Sequence, residues 1–126
     1  MRALVLVLLF AGCAAVAAAA DRDQEDLARD LAGRVAGPPQ DCVPSQQTES
    51  LRVVDSQTIA YGGGRTLWVN RLDSACPGLT AMDRLIVETH GSEYCRSDHI
   101  RAIGFSGGIP GPICFLGRFT PYRRGR

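Results

Sequence analysis

Four cysteines, Cys42, Cys76, Cys95 and Cys114, set the strongest constraint on how this chain can fold. An even number of cysteines in a short chain reads as a disulfide framework when the compartment is oxidising. Four cysteines admit three pairings, and the residues alone do not choose among them. Pairing of chain neighbours, Cys42 with Cys76 and Cys95 with Cys114, is the expectation carried forward. Each bridge would stabilise by about 3–4 kcal/mol on the chain-entropy model, a large share of the stability of a small domain.

The N-terminus supplies the oxidising compartment. Met1-Arg2 precedes an unbroken apolar stretch from Ala3 to Ala20, and Ala18-Ala19-Ala20 stands before the charged Asp21-Arg22-Asp23. A positive start, an apolar centre and small residues at the end are the pattern of a secretory signal peptide over residues 1–20. A membrane anchor needs about 20 apolar residues. Here the second half is mostly alanine, which is weakly apolar, so no transmembrane span is expected after signal cleavage. Phe10-Ala11-Gly12-Cys13 also resembles a bacterial lipobox, and a lipoprotein anchored through Cys13 is the alternative route. Against it, Cys13 is followed by seven more apolar residues. Cleavage after Ala20 removes the odd cysteine, and nothing in an exported compartment, periplasmic or extracellular, would keep the other four reduced.

The 126 residues leave room for one domain. All 14 basic residues are arginine, set against 13 acids, so a strongly basic nucleic-acid binder is excluded. The balance hides a polarity: Asp21 to Glu49 holds seven acids and three arginines, whereas Ser50 to Arg126 holds six acids and ten arginines. Such segments attract each other or divide their partners.

Residues 21–40 read as a short helix and a Pro-rich linker. Leu27, Leu31 and Val35 recur at helical spacing toward Ala36, with Asp23, Glu25 and Asp26 in the first turns, where the helix dipole favours negative charge. Such a helix docks, frays or acts as a spacer, and Gly37-Pro38-Pro39 ends it. Residues 41–122 then change period. Leu51 and Val53, Ile59 and Tyr61, and Leu67 to Leu72 make three short strands separated by Asp55-Ser56 and Gly62-Gly63-Gly64. Arg84 to Thr89 and His99 to Ile103 add two, and Ile113 to Phe119 a last one beyond a glycine- and proline-rich loop. Alternation along that last strand puts Phe115 and Phe119 on one core face. Residues 123–126 form a basic tail. The expected fold is mostly β: a small antiparallel barrel or sandwich of about six short strands behind an N-terminal helix, stabilised by disulfides.

The order Cys42, Arg52-Val53-Val54-Asp55 with Thr58-Ile59, Asn70-Arg71-Leu72, Cys76-Pro77-Gly78-Leu79, Cys95-Arg96-Ser97-Asp98-His99-Ile100 and Cys114-Phe115-Leu116-Gly117-Arg118-Phe119 resembles a family of small secreted proteobacterial proteins, the domain of unknown function 6491. The resemblance covers about Asp41 to Pro121. It implies an exported compartment and a disulfide framework, and carries no catalytic residues.

Several residues have the types that chemistry needs. Gly104-Phe105-Ser106-Gly107-Gly108 fits the G-x-S-x-G pattern of a nucleophile elbow, but Ile109-Pro110-Gly111-Pro112 cannot start the helix such an elbow feeds, and both histidines precede the serine. His90, Asp98 and His99, with Cys95, fall within ten residues and are metal-ligand types, yet adjacent Asp98 and His99 point to opposite faces of a strand. A thiol catalyst at Cys95 lacks a free thiol, and no C-x-x-C is present. Asp55, Asp73, Asp83 and Asp98 sit near turns, where aspartate caps backbone amides. The candidate binding residues are Arg118, Arg123, Arg124 and Arg126, because arginine suits phosphate and carboxylate. No cofactor is implied. These residues point to an exported, non-catalytic binding or envelope-associated accessory protein whose partner is an acidic envelope component or protein. The alternative is a small periplasmic metal-binding protein or enzyme using His90, Asp98 and His99.

Overall fold

A computed structural model describes residues 22–46, 48–104 and 109–125. The signal segment with Cys13, the loop serine Ser106 and Arg126 lie outside the described residues. The described residues fold as helix α1 (residues 22–31) followed by ten strands: β1 (Arg34–Ala36), β2 (Cys42–Pro44), β3 (Arg52–Asp55), β4 (Thr58–Gly62), β5 (Thr66–Arg71), β6 (Arg84–Glu88), β7 (Glu93–Cys95), β8 (His99–Ile103), β9 (Ile113–Phe115) and β10 (Arg118–Arg124). Every paired strand runs antiparallel. Among the described residues no helix is long and apolar enough to cross a membrane.

The main sheet has the order β1-β10-β5-β4-β3, and two smaller sheets, β2-β7 and β6-β8-β9, complete the fold. Alternation along the central strands feeds two separate apolar clusters, as expected of a sheet buried on both faces. Val54, Ala60, Leu67 and Val69 face α1, which buries Leu27 against them. Val53, Ile59, Tyr61 and Phe119 face the other way, onto Val43, Leu72, Leu79, Ile100 and Leu116.

The mostly β class and the short helix match expectation, while the details extend it. The helix stops at residue 31 rather than at Ala36. Gly33 takes φ +74°, a left-handed conformation that glycine adopts without a Cβ penalty. Beyond it, Arg34–Ala36 turns into a strand whose residues pair with Arg124, Arg123 and Tyr122. The stretch expected as a single strand from Ile113 to Phe119 breaks into β9 and β10 at Leu116-Gly117. The alternation is lost there, so Phe115 is 53% exposed while Phe119 is fully buried. Arg123 and Arg124, expected in a tail, belong to β10.

Gly117 explains the break. A Cβ at this position would overlap the carbonyl oxygen of Arg71, so only glycine lets the chain pass here. The passage is locked by Asn70, whose Nδ2 donates to the Gly117 carbonyl at 2.8 Å and whose Oδ1 accepts from the Gly117 N–H at 2.9 Å.

The disulfides join Cys42 to Cys95 and Cys76 to Cys114, correcting the expected pairing of neighbours. Strand pairing decides it. Cys42 and Cys95 are directly opposed in the β2–β7 ladder. Cys76 and Cys114 are both buried in the central core. Two disulfides fit an oxidising environment.

Candidate functional site

The β4–β5 turn is the starting point of an open, arginine-lined cleft. Gly62-Gly63-Gly64 brings the chain round tightly enough that a Cβ on Gly62 would lie 2.8 Å from the Thr66 carbonyl oxygen. Arg34 of β1 fixes the turn from behind. Its guanidinium donates to the carbonyls of Gly63 at 2.6 Å, Arg65 at 3.3 Å and Tyr122 at 3.4 Å, and to Asp30 at 2.8 Å. With these carbonyls engaged, the N–H groups of Gly63 and Gly64 donate to no backbone carbonyl of the described residues.

Strand pairing then delivers cations to the turn. Arg123 is the Cα partner of Thr66, and the Arg124 N–H donates to the Arg65 carbonyl at 3.2 Å. Gly63, Gly64, Arg65, Thr66, Arg123, Arg124 and Gly125 together line an open cleft of about 790 Å³. Arg65, Arg123 and Arg124 are all exposed, and none is ion-paired to an acid among the described residues. Uncompensated guanidiniums beside free backbone N–H groups make a receptor for a multiply charged anion.

The structure therefore brings together Arg123 and Arg124 of the arginines singled out in the sequence, and separates Arg118 from them. Arg118 sits at the opposite end of β10, where its Nε is 3.0 Å from Asp41 Oδ1 and it donates to the Pro39 carbonyl. Arg126 is outside the described residues. Arg65 and Arg34 are not marked by the sequence because β10, the strand that pairs with both β5 and β1, is distant from them in the chain.

The His90, Asp98, His99 set does not converge. Asp98 is buried, and its Oδ2 accepts from the Cys95 N–H at 2.8 Å, closing the turn between β7 and β8. His90 Nδ1 lies 3.9 Å from Asp98 Oδ1 on a fully exposed side chain. His99 lies on the outer face of β8, where Nδ1 is 3.5 Å from Glu88 Oε2 and the ring meets Phe115 edge-on. The ligand types that do cluster among the described residues are Cys42, Glu93 and Cys95, but both sulfurs are committed to the disulfide. The remaining aspartates serve turns and ion pairs: Asp55 accepts from the Gln57 N–H and from the Gln24 amide, Asp83 from the Thr80 N–H, and Asp73 pairs with Arg96.

A second surface stands out on the three-stranded sheet. Its inner residues join the core, whereas Ile86 (47% exposed), Ile113 (48%) and Phe115 face outward beside Arg101 and His99.

No protein-family model, curated protein or solved structure matches this chain.

Proposed function

We propose that this protein is an exported, non-catalytic binding module that captures an anionic group of an envelope component or acidic partner through the Arg65, Arg123, Arg124 cleft. The observation that carries the reading is that Arg65, Arg123 and Arg124, without acidic partners among the described residues, line one open cleft at a glycine turn whose Gly63 and Gly64 N–H groups donate to no backbone carbonyl of the described residues. The apolar N-terminal stretch, the two disulfides and the resemblance to the secreted proteobacterial family support export to the periplasm or beyond. His99 faces Glu88 rather than the His90–Asp98 pair, which speaks for binding rather than catalysis, since a catalytic or metal site needs its groups within bonding reach of one point.

Co-sedimentation with vesicles containing an anionic lipid, and with lipopolysaccharide, tests the reading. The oxidised wild-type protein should bind in low salt and be released as salt rises. A triple Arg65→Ala, Arg123→Ala, Arg124→Ala variant should lose the binding while Arg118→Ala keeps it. Equal binding by the triple variant, or turnover on a hydrolase panel, would overturn the proposal. Intact mass with and without reductant measures signal cleavage, lipidation at Cys13 and the number of disulfides in one experiment.

A further inference from the structure

We infer that the cationic cleft is one half of a two-part site, and that its ligand is a phosphorylated sugar. The inference rests on the anion-binding reading above and adds the ligand's second end. A pocket of about 320 Å³ shares Gly64, Arg65 and Thr66 with the cleft and continues along β5 to Trp68. Thr66 and Trp68 are two residues apart on one strand, so both project from the same face, about 7 Å apart. Arg123, opposite Thr66 in the antiparallel β5–β10 pair, projects from that face as well. A guanidinium, a hydroxyl and an indole thus stand in sequence across one surface.

The floor beyond them is fixed. Tyr61 is the Cα partner of Trp68. Its hydroxyl accepts from the Gln46 N–H at 2.7 Å and donates to the Pro44 carbonyl at 3.0 Å, which holds the ring in place. Glu49 supplies the polarity. A Cβ on Gly62 would lie 3.3 Å from Glu49 Oε2 and 3.7 Å from Trp68 Cδ1, so the missing side chain leaves the carboxylate and the indole side by side. The Glu49 carboxylate accepts no hydrogen bond from the described residues.

This arrangement selects by charge and shape. Arg123 on this face and Arg65, which lines both the cleft and the pocket, favour a phosphate, whereas a carboxylate at the other end repels a second anion and accepts hydrogen bonds from hydroxyls. Between them an aromatic face suits the apolar face of a sugar ring. A ligand with a phosphate at one end and hydroxyls around a ring satisfies all three.

Trp68 is the single tryptophan of the chain, so its fluorescence reports on this pocket alone. The oxidised protein is titrated with inorganic phosphate, methyl glucoside, glucose 1-phosphate and guanosine monophosphate, with calorimetry in parallel. Glucose 1-phosphate should change Trp68 emission saturably and bind at least about tenfold more tightly than phosphate or the glucoside. Glu49→Ala and Arg123→Ala should each weaken it by about tenfold with the circular dichroism spectrum unchanged. Phosphate binding as tightly as glucose 1-phosphate, with emission unchanged, would overturn the two-part site and leave the anion cleft standing. Tighter binding of guanosine monophosphate would overturn the sugar assignment. Absence of binding by any phosphate would overturn both.

Discussion

The five-stranded and three-stranded sheets solve the same problem to different degrees. The first buries both faces, one under α1 and one in the central core, and uses its strand ends to place arginines at the β4–β5 turn. The second buries one face and leaves Ile86, Ile113 and Phe115 on the other. Stability is thus concentrated in the sheet that also carries the candidate site. A receptor for a small anion needs groups held in fixed positions, and rigidity is cheapest where packing is most complete.

The sharpest way to break this contrast is to disturb the junction between the sheets. Gly117→Ala forces a Cβ into the Arg71 carbonyl and pulls on the paired Asn70. The backbone on both sides is held by ladders, so relaxation is limited, and a loss of about 4 kcal/mol or more is expected. Chemical denaturation measures it; a loss below about 1 kcal/mol, the ordinary cost of a point mutation, would mean that the junction yields.

Next in size is a matched pair of truncations. Leu67 is buried between β5 and α1, and Leu67→Ala should cost about 2–5 kcal/mol. Ile86, half-exposed on the second sheet, should cost about 0.5 kcal/mol when replaced by threonine. Comparable losses at the two positions would show that the outer face of β6-β8-β9 is covered in solution.

The disulfides divide along the same line. Cys76–Cys114 lies in the core, while Cys42–Cys95 is only partly buried and joins the two-stranded β2-β7 sheet. The loops they close, 53 and 38 residues, give nearly equal entropic stabilisation, about 4 kcal/mol each on the chain-entropy model. Access should therefore decide the order of reduction. Graded reductant followed by alkylation and peptide mapping should label Cys42 and Cys95 first; simultaneous labelling would show that the core opens as one unit.

Much of this organisation was legible in the residues, and the misses share a cause. Period-two alternation marked β3, β4 and β5, and short apolar runs marked β6 and β8, because each has apolar residues on a buried face. The three-residue strands β1, β2 and β7 carry too few residues to show a period, and only their partners make them strands. The disulfide pairing depended on β2 and β7, so it was lost with them. Arg123 and Arg124 were visible as a cluster, but Arg65 joined them only through the β5–β10 register. Arg118 looked equivalent and is not, because a seven-residue strand carries it to the far end of the sheet.

A smaller effect, in the five-stranded sheet, depends on pH. Burial pushes the Tyr61 phenol above its ordinary value of 10.0. In the unfolded chain the phenol ionises first as pH rises, so its contribution is complete below about pH 10 and is lost through the higher folded value. Tyr61→Phe should remove this alkaline loss, read as a flatter midpoint between pH 9 and 11, at the cost of the bonds to Gln46 and Pro44. An unchanged alkaline slope would place the titrating group elsewhere.

One predicted change reverses sign. Thr58 is 1% exposed at the start of β4, and its Oγ1 has no hydrogen-bond partner among the described residues. Even the fully covered sheet therefore carries an unpaid desolvation penalty, of about 1–3 kcal/mol for a buried hydroxyl. Valine has nearly the same shape and the same preference for strands. Thr58→Val should leave the fold intact and raise stability by about 1 kcal/mol, seen as a higher denaturation midpoint at constant slope. A lower midpoint would mean that the hydroxyl is satisfied in solution, and that the more completely packed sheet admits water at its β3–β4 edge.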